Sequence, residues 1–320
     1  MFDVICLGNS CEDIFLESSQ FSKGAVLETK ELESFKIGSK IEVENLKILP
    51  GGGGSNTSVG LAKQDLSVSL ISRTGQDVSG QQILKNLYNH GVDSSMMQID
   101  KKTSSAVSIV LISKSGERTI LIYRGAASNI SSKLFDLNQI QTQWFYITSL
   151  GGNFDLIGEV FNIAKTKNIK IAYNPGNQEL EQNQKIIRLL GGVDILFLNV
   201  KESAKLLETD KNQINVILNK LQQITKTSVI TNNENGAYYI DKKRILKVNS
   251  IKTDVKDATG AGDAFGCGFL GSYIKGENPE TCLKSGIVNA VSVIKKTGAQ
   301  TGLQSSFLDD SNIKIESFNN

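Results

Sequence analysis

The feature that most constrains this chain is a recurring unit: a short unbroken apolar run, a turn, then a helical pattern. Val4-Ile5-Cys6-Leu7-Gly8 is the first such run. Others are Val68–Ser72, Trp144–Ser149, Ile169–Asn174, Ile195–Asn199 and Ser228–Thr231. A strand that is apolar at every position is buried on both faces, as in a parallel sheet covered by helices above and below. The intervening segments predict helices over Asp77–His90, Asn153–Lys167, Gln178–Leu190 and Lys211–Ile224. Asp77 reads as an N-cap, His90 as a cap-like residue and Gly91 as the C′ glycine. Strands and helices joined by short links predict an α/β fold: a Rossmann-like, doubly wound, mainly parallel sheet.

Two stretches break that rhythm. Residues from about Phe15 to Leu49 alternate weakly, and Ala106–Ile112 and Arg118–Tyr123 are β-rich runs around a Ser113–Glu117 turn. They predict a small separate sheet made of inserted segments, about 14–49 and 105–125, serving as a lid over a site at the strand ends. The whole chain, 1–320, is otherwise read as one domain. The polar tail from Ser305 is expected to fray.

The chemistry concentrates in Asp257-Ala258-Thr259-Gly260-Ala261-Gly262-Asp263. Gly260, Ala261 and Gly262 bring backbone N–H groups to the positive end of a long helix, where an anion or a developing phosphoryl charge is stabilised. Asp263, in the first turn, would repel a phosphate but suits accepting a proton from an attacking hydroxyl. The helix dipole is expected to lower its pKa. Gly266–Gly271 matches a dinucleotide fingerprint but lies inside the helix, so these glycines read as sites of close packing. A second glycine run, Pro50–Gly54, precedes Asn56, whose amide suits a hydroxyl-rich ligand. Asn199 and Glu202 are three apart on one helical face and could hold Mg²⁺ through water; a helix cap is the competing reading.

Composition narrows the alternatives. His90 is the only histidine in the 320 residues, which leaves little room for a Ser-His-Asp system or a His-rich zinc site. Cys6, Cys11, Cys267 and Cys282 form no CxxC pair. A net charge of +2 gives no general attraction for nucleic acid or membrane. The absence of a leader-like or spanning apolar stretch gives an expected cytoplasmic location.

Together these segments resemble the ribokinase-like (PfkB) family of carbohydrate and nucleoside kinases, over nearly the whole chain. Gly52, Gly53 and Asn56 resemble its N-terminal sugar signature, Asp257–Asp263 its C-terminal signature, and Asn199 with Glu202 its magnesium motif. The resemblance implies a kinase that moves the γ-phosphoryl group of ATP, with Mg²⁺, to a primary hydroxyl. It implies Asp263 as catalytic base and Gly260, Ala261 and Gly262 as anion hole. Asn9, Asp13, Gly52, Gly53 and Asn56 would bind substrate; Asn199, Thr231, Gly236, Gly262 and Asn289 would lie by ATP. K⁺ is a further candidate, with Asp257, Thr259 and Gly298, although Gly298–Gly302 has glycine where ribokinases carry a contributing serine. Asn233 stands where many relatives have glycine.

The acceptor is read as a small sugar or sugar acid, with a nucleoside as the alternative and a non-catalytic sensor as a third class. Arg118 and Arg124, six apart in a strand-like run, would share a face, and Tyr123-Arg124 resembles an element of the 2-keto-3-deoxygluconate kinases. Arg118 and Arg124 are accordingly read as substrate-binding, with Arg124 expected to reach a substrate carboxylate. An exposed lid edge would also suit pairing of two copies.

Overall fold

The computed structural model describes residues 1–21, 38–112, 118–134, 136–305 and 313–317. In chain order its first half runs β1 (Phe2–Leu7), β2 (Cys11–Glu17), β3 (Asn45–Gly51), α1 (Gly53–Ala62), β4 (Val68–Gly75), α2 (Val78–Asn89), β5 (Met97–Asp100), β6 (Ala106–Ile112), β7 (Arg118–Tyr123), β8 (Thr142–Ile147) and α3 (Phe154–Lys167). The second half runs β9 (Lys170–Tyr173), α4 (Asn177–Leu180), α5 (Asn183–Leu189), β10 (Ile195–Asn199), α6 (Val200–Leu206), α7 (Ile214–Ile224), β11 (Thr227–Thr231), β12 (Ala237–Asp241), β13 (Ile245–Val248), α8 (Ala261–Ile274), α9 (Pro279–Ile294) and β14 (Ile315–Ser317).

Among the described residues the strands form a ten-stranded sheet, ordered β14-β13-β12-β11-β10-β9-β8-β1-β4-β5, and a four-stranded sheet, β3-β2-β6-β7. In the large sheet β5 through β11 pair in parallel, and β12 to β14 close the far side antiparallel. Side chains alternate across a strand, so each apolar run feeds two cores. Val4, Cys6, Trp144 and Tyr146 meet Phe265 and Phe269 of α8 on one face. Ile5, Leu7, Phe145 and Ile147 meet Leu156, Val160 and Leu218 on the other.

The predicted caps are present. Asp77 accepts from Gly80 N and opens α2; His90 closes it with Nδ1 2.9 Å from Asn86 O. The glycines inside α8 serve packing: a Cβ on Gly268 would lie 2.6 Å from Ser285 O of α9.

The helix expected over Gln178–Leu190 is divided into α4 and α5. Glu179 explains the break. Its buried carboxylate accepts from Leu150 N, Gly152 N, Gly176 N and Ser149 Oγ, which turns α4 inward to serve a neighbouring loop. The helix expected from Lys211 begins at Ile214, after Asp210 has turned the chain by accepting from Asn212 N. The tail is also corrected: Ile315–Ser317 pairs with β13, whose edge offers unmatched N–H and C=O groups.

The inserted segments form their own sheet. β2 lies antiparallel to β3 and parallel to β6, and β7 returns antiparallel on β6. The Ser113–Glu117 turn and much of the 14–49 segment lie outside the described residues. Among the described residues no helix is long and apolar enough to cross a membrane.

Candidate active site

The site is built at the carboxyl ends of the parallel strands, where crossovers leave a crevice. Asn199 ends β10 and sits opposite Thr231 at the end of β11. Both line a cavity of about 670 Å³, together with Gly236, Ala258, Ala261 and Gly262. Ile251, Val255, Ile287 and Val291 make its apolar wall. That volume lies in the range of small-ligand pockets, roughly 300–1,000 Å³. Asn233, also in the lining, has φ +48°. It holds the left-handed conformation that glycine usually takes and that asparagine tolerates better than most residues.

Asn289 is not in the lining. Its Nδ2 donates to Ala264 O at 2.6 Å, bracing α9 against α8, and its Oδ1 accepts from Gln304 N at 2.9 Å, which ties down the following loop. An asparagine amid small residues carries no local mark of which way it faces.

The glycines opening α8 have different tasks. Gly260 is the N-cap at φ +74°, and a Cβ there would lie 2.3 Å from Ala299 Cβ, so backbone shape and packing both demand glycine. A Cβ on Gly262 would meet nothing within 4 Å. Gly262 is therefore small on behalf of the cavity. Helix geometry leaves first-turn N–H groups without acceptors inside the helix. Ala261 N is drawn toward Ala258 O at 3.3 Å, which leaves the amides of Gly262 and Asp263 as the better anion donors.

Asp263 joins the two ends of the chain. Asn56 Nδ2, from α1, donates to its Oδ2 at 2.8 Å. Gln300 fixes that orientation by donating from Nε2 to Asn56 Oδ1 at 3.1 Å and to Ser55 Oγ at 3.0 Å, while Asn86 Nδ2 donates to Gln300 Oε1 at 2.8 Å. Gln300 was not singled out from sequence; only contacts across more than 200 positions reveal it. Asp263 follows Gly262 of the cavity lining and is partly buried, so protein packed around it withholds much of the bulk water. Desolvation lifts its pKa to about 6, with further pushes from the Glu202 and Asp13 charges, opposed by Asn56. The expected lowering by the helix dipole is thus reversed: burial outweighs it.

On the other side of Asp263 lie β1 and β2. Asn9 follows β1, and its Oδ1 is buried without a donor among the described residues. Asp13 is buried on β2, with Cys11 Sγ donating to its Oδ1 at 3.2 Å; burial raises its pKa. Gly52, at φ +92°, caps α1, where a Cβ would lie 2.5 Å from Asn9 O. Gly53 begins that helix, so the glycine run, Asn9 and Asn56 are brought together.

The two arginines do not share a face. Alternation ends at Tyr123, and Arg124 turns into a 3₁₀ segment, Gly125–Asn129, where its side chain is exposed. Arg118 instead reaches the Asp257 loop: Nη1 bonds Asp257 Oδ1 and lies 2.9 Å from Thr259 Oγ1. Both were expected to touch substrate; Arg124 is exposed at the edge of the small sheet, and Arg118 is committed to a carboxylate of the protein.

Asn199 and Glu202 form a capping box, Asn199 Oδ1 accepting from Glu202 N and Glu202 Oε2 from Asn199 N at 2.8 Å. Glu202 Oε2 is therefore occupied. Burial raises the Glu202 pKa. Among the described residues no cluster of His, Cys, Asp and Glu is grouped to hold a metal directly.

The deoxyribokinase of Salmonella typhi is 23% identical over 320 residues, covering 95% of this chain and 96% of that protein. A nucleoside kinase of Methanocaldococcus jannaschii is 23% identical, with 95% and 94% covered. Among solved structures, adenosine kinase from Sinorhizobium meliloti superposes with a TM-score of 0.79 at 22% identity, over 94% of this chain and 97% of that one. The pfkB family carbohydrate kinase model matches residues 25–306. With the nucleotide-sized cavity, the open first turn of α8 and this match over most of its length, the chain belongs to the pfkB family of carbohydrate kinases and is a phosphotransferase.

Proposed function

We propose that this chain transfers the γ-phosphoryl group of ATP to a primary hydroxyl of a small neutral sugar or of a nucleoside's sugar, with Asp263 as the general base. The observation that carries this reading is the Asn56–Asp263 hydrogen bond. It sets a partly buried carboxylate between the free amides of α8 and the polar groups of β1, β2 and α1. Asn56 engages Oδ2, which leaves Oδ1 to take the acceptor's proton. A pKa near 6 makes Asp263 a charged yet useful base at neutral pH. Asn9 Oδ1 suits a hydroxyl donor, and Asp13 suits another. The amides of Gly262 and Asp263 meet the transferring phosphoryl group. The apolar wall of Ile251, Val255, Ile287 and Val291 suits the adenine face of ATP.

Mg²⁺ fits this site through water: Glu202 has one oxygen free of the capping box, and its charge already bears on Asp263. When bound, Mg²⁺ neutralises phosphate charge. The four-stranded sheet is read as the lid, and its exposed face suits a second copy of the chain.

A neutral acceptor is favoured over a sugar acid. Asp13 and Asp263 repel a carboxylate, Arg118 is paired with Asp257, and Arg124 is exposed. The relatives named a deoxyribokinase and nucleoside kinases agree with a pentose or nucleoside. ATP consumption measured across ribose, 2-deoxyribose, fructose, adenosine, inosine and a keto-deoxy sugar acid tests it. Turnover on a neutral acceptor is expected; turnover on the acid alone rejects the reading. Turnover on none would favour the non-catalytic sensor.

A further inference from the structure

We infer that the Arg118 guanidinium is the built-in cation of the Asp257 loop, so that this chain works without a monovalent metal ion there; the inference rests on the kinase reading above. Asp257 is buried, with 3% of its side chain exposed. Its Oδ1 accepts from Thr259 N at 2.9 Å and from Arg118 Nη1, and its Oδ2 from Gly298 N at 2.9 Å. The same Nη1 lies 2.9 Å from Thr259 Oγ1. A buried carboxylate needs a countercharge, and here the countercharge comes from β7 of the small sheet.

The residues do not fit an additional ion. A monovalent cation needs oxygen lone pairs that face it. Asp257 Oδ1 already faces two N–H donors, and Asp257 Oδ2 and the Thr259 hydroxyl face one each. Gly298 turns its N–H, not its carbonyl, toward Asp257. Any ion placed at that carboxylate would lie against a guanidinium and be repelled.

Arg118 is thereby a positioning residue. Asp257 and Thr259 lead directly into Gly260, so what holds this loop also aims the first-turn amides of α8. The small sheet makes a second contact with the same loops: a Cβ on Gly298 would lie 2.5 Å from Leu49 Cδ1 of β3. Two of its strands therefore bear on the loops around Asp257.

The test compares wild type, Arg118→Ala and Arg118→Lys in KCl, NaCl and tetramethylammonium chloride at matched ionic strength. Melting temperature and steady-state rate are both read. Wild type should vary by no more than about twofold in rate across the salts, once general screening is matched. Arg118→Ala should lose about 10- to 100-fold in kcat, the scale of a displaced positioning group, with a smaller change in the acceptor's KM. K⁺ or methylguanidinium should restore part of that rate and raise the melting temperature of this variant, whereas tetramethylammonium should do neither. Arg118→Lys, which keeps the charge, should retain most of the rate and stay indifferent to K⁺.

A wild type activated several-fold by K⁺ would overturn the inference, as would an Arg118→Ala enzyme of normal rate. A loss that neither cation restores, in rate or in melting, would reject the charge role and leave a contact between sheet and loop. Because melting needs no turnover, the cation effect can be decided even when no acceptor in the panel reacts, which separates this inference from the kinase reading.

Discussion

In the large sheet, β1 sends Val4 and Cys6 into one core and Ile5 and Leu7 into the other, all of them fully buried. In the small sheet, β6 buries Val110 while the neighbouring β7 leaves Ile122 58% exposed. The first sheet is covered by helices on both faces and needs nothing further to hold its shape. The second leaves its outer strand bare and meets the rest of the chain through the buried Phe15, Ser79 bonding Glu12, and Arg118 bonding Asp257. Substitutions in the large sheet and the helix cores packed on it should act on folding, and those around the small sheet and at Asp263 and Gly262 in the first turn of α8 on turnover.

The largest effect expected falls on the chemistry. Asp263→Asn should lose about 10²–10⁴ in kcat, the usual worth of a general base, with secondary structure unchanged by circular dichroism. The wild-type rate should fall as pH drops through about 6, because the base must be deprotonated to work. Stability runs the opposite way. The native carboxyl holds its proton more tightly than the unfolded one, so wild-type stability declines as pH rises from the unfolded pKa, about 4, through about 6. Asp263→Asn should therefore melt higher than wild type at pH 7, and the gap should shrink at pH 4. Equal rates, or a gap that widens in acid, would remove Asp263 from its role.

Phe269→Ala tests the core where α8 packs on the large sheet. Phe269 is fully buried and stacks on Tyr239 and Tyr273 with ring centroids 6.2 Å apart in each case. The loss should be about 3–5 kcal/mol in urea unfolding, with KM near normal for whatever folds.

Gly262→Ala separates the two glycines. Alanine there meets no protein atom, and inside a helix it gains about 1 kcal/mol over glycine, so melting should hold or rise. The added methyl projects into the cavity and should cost about 10²-fold in kcat/KM for ATP, the scale of a 1 Å misplacement. Gly260→Ala should instead destabilise the fold, since Ala299 already fills the space.

The smallest effect belongs to the bare face. Ile122→Ser should change monomer stability by less than about 0.5 kcal/mol, as exposed positions do. Light scattering would show whether this face pairs: wild type eluting as a dimer and Ile122→Ser as a monomer would place the second copy there.

Much of this molecule is legible from local pattern. Unbroken apolar runs marked β1, β4 and β8 to β11, because burial on both faces leaves no room for polar alternation. Asp77 and Gly91 bounded α2, because capping is settled within a few residues. The Asp257–Asp263 and Gly52–Asn56 segments stand out because positive φ and close packing at Gly52 and Gly260 exclude a side chain. What tertiary structure decided depends on positions far apart in the chain. Arg118, not Arg124, meets the Asp257 loop because β7 ends at Tyr123 and its first residue faces Asp257, 139 positions away. Gln300 orients Asn56 and Asn289 braces two helices, though neither amide announces its partner. Asp263 has a raised pKa because desolvation by the packed fold outweighs one helix dipole. Periodicity and capping act over a few residues and can be read along the chain; desolvation and charge pairing depend on what the fold packs around a group.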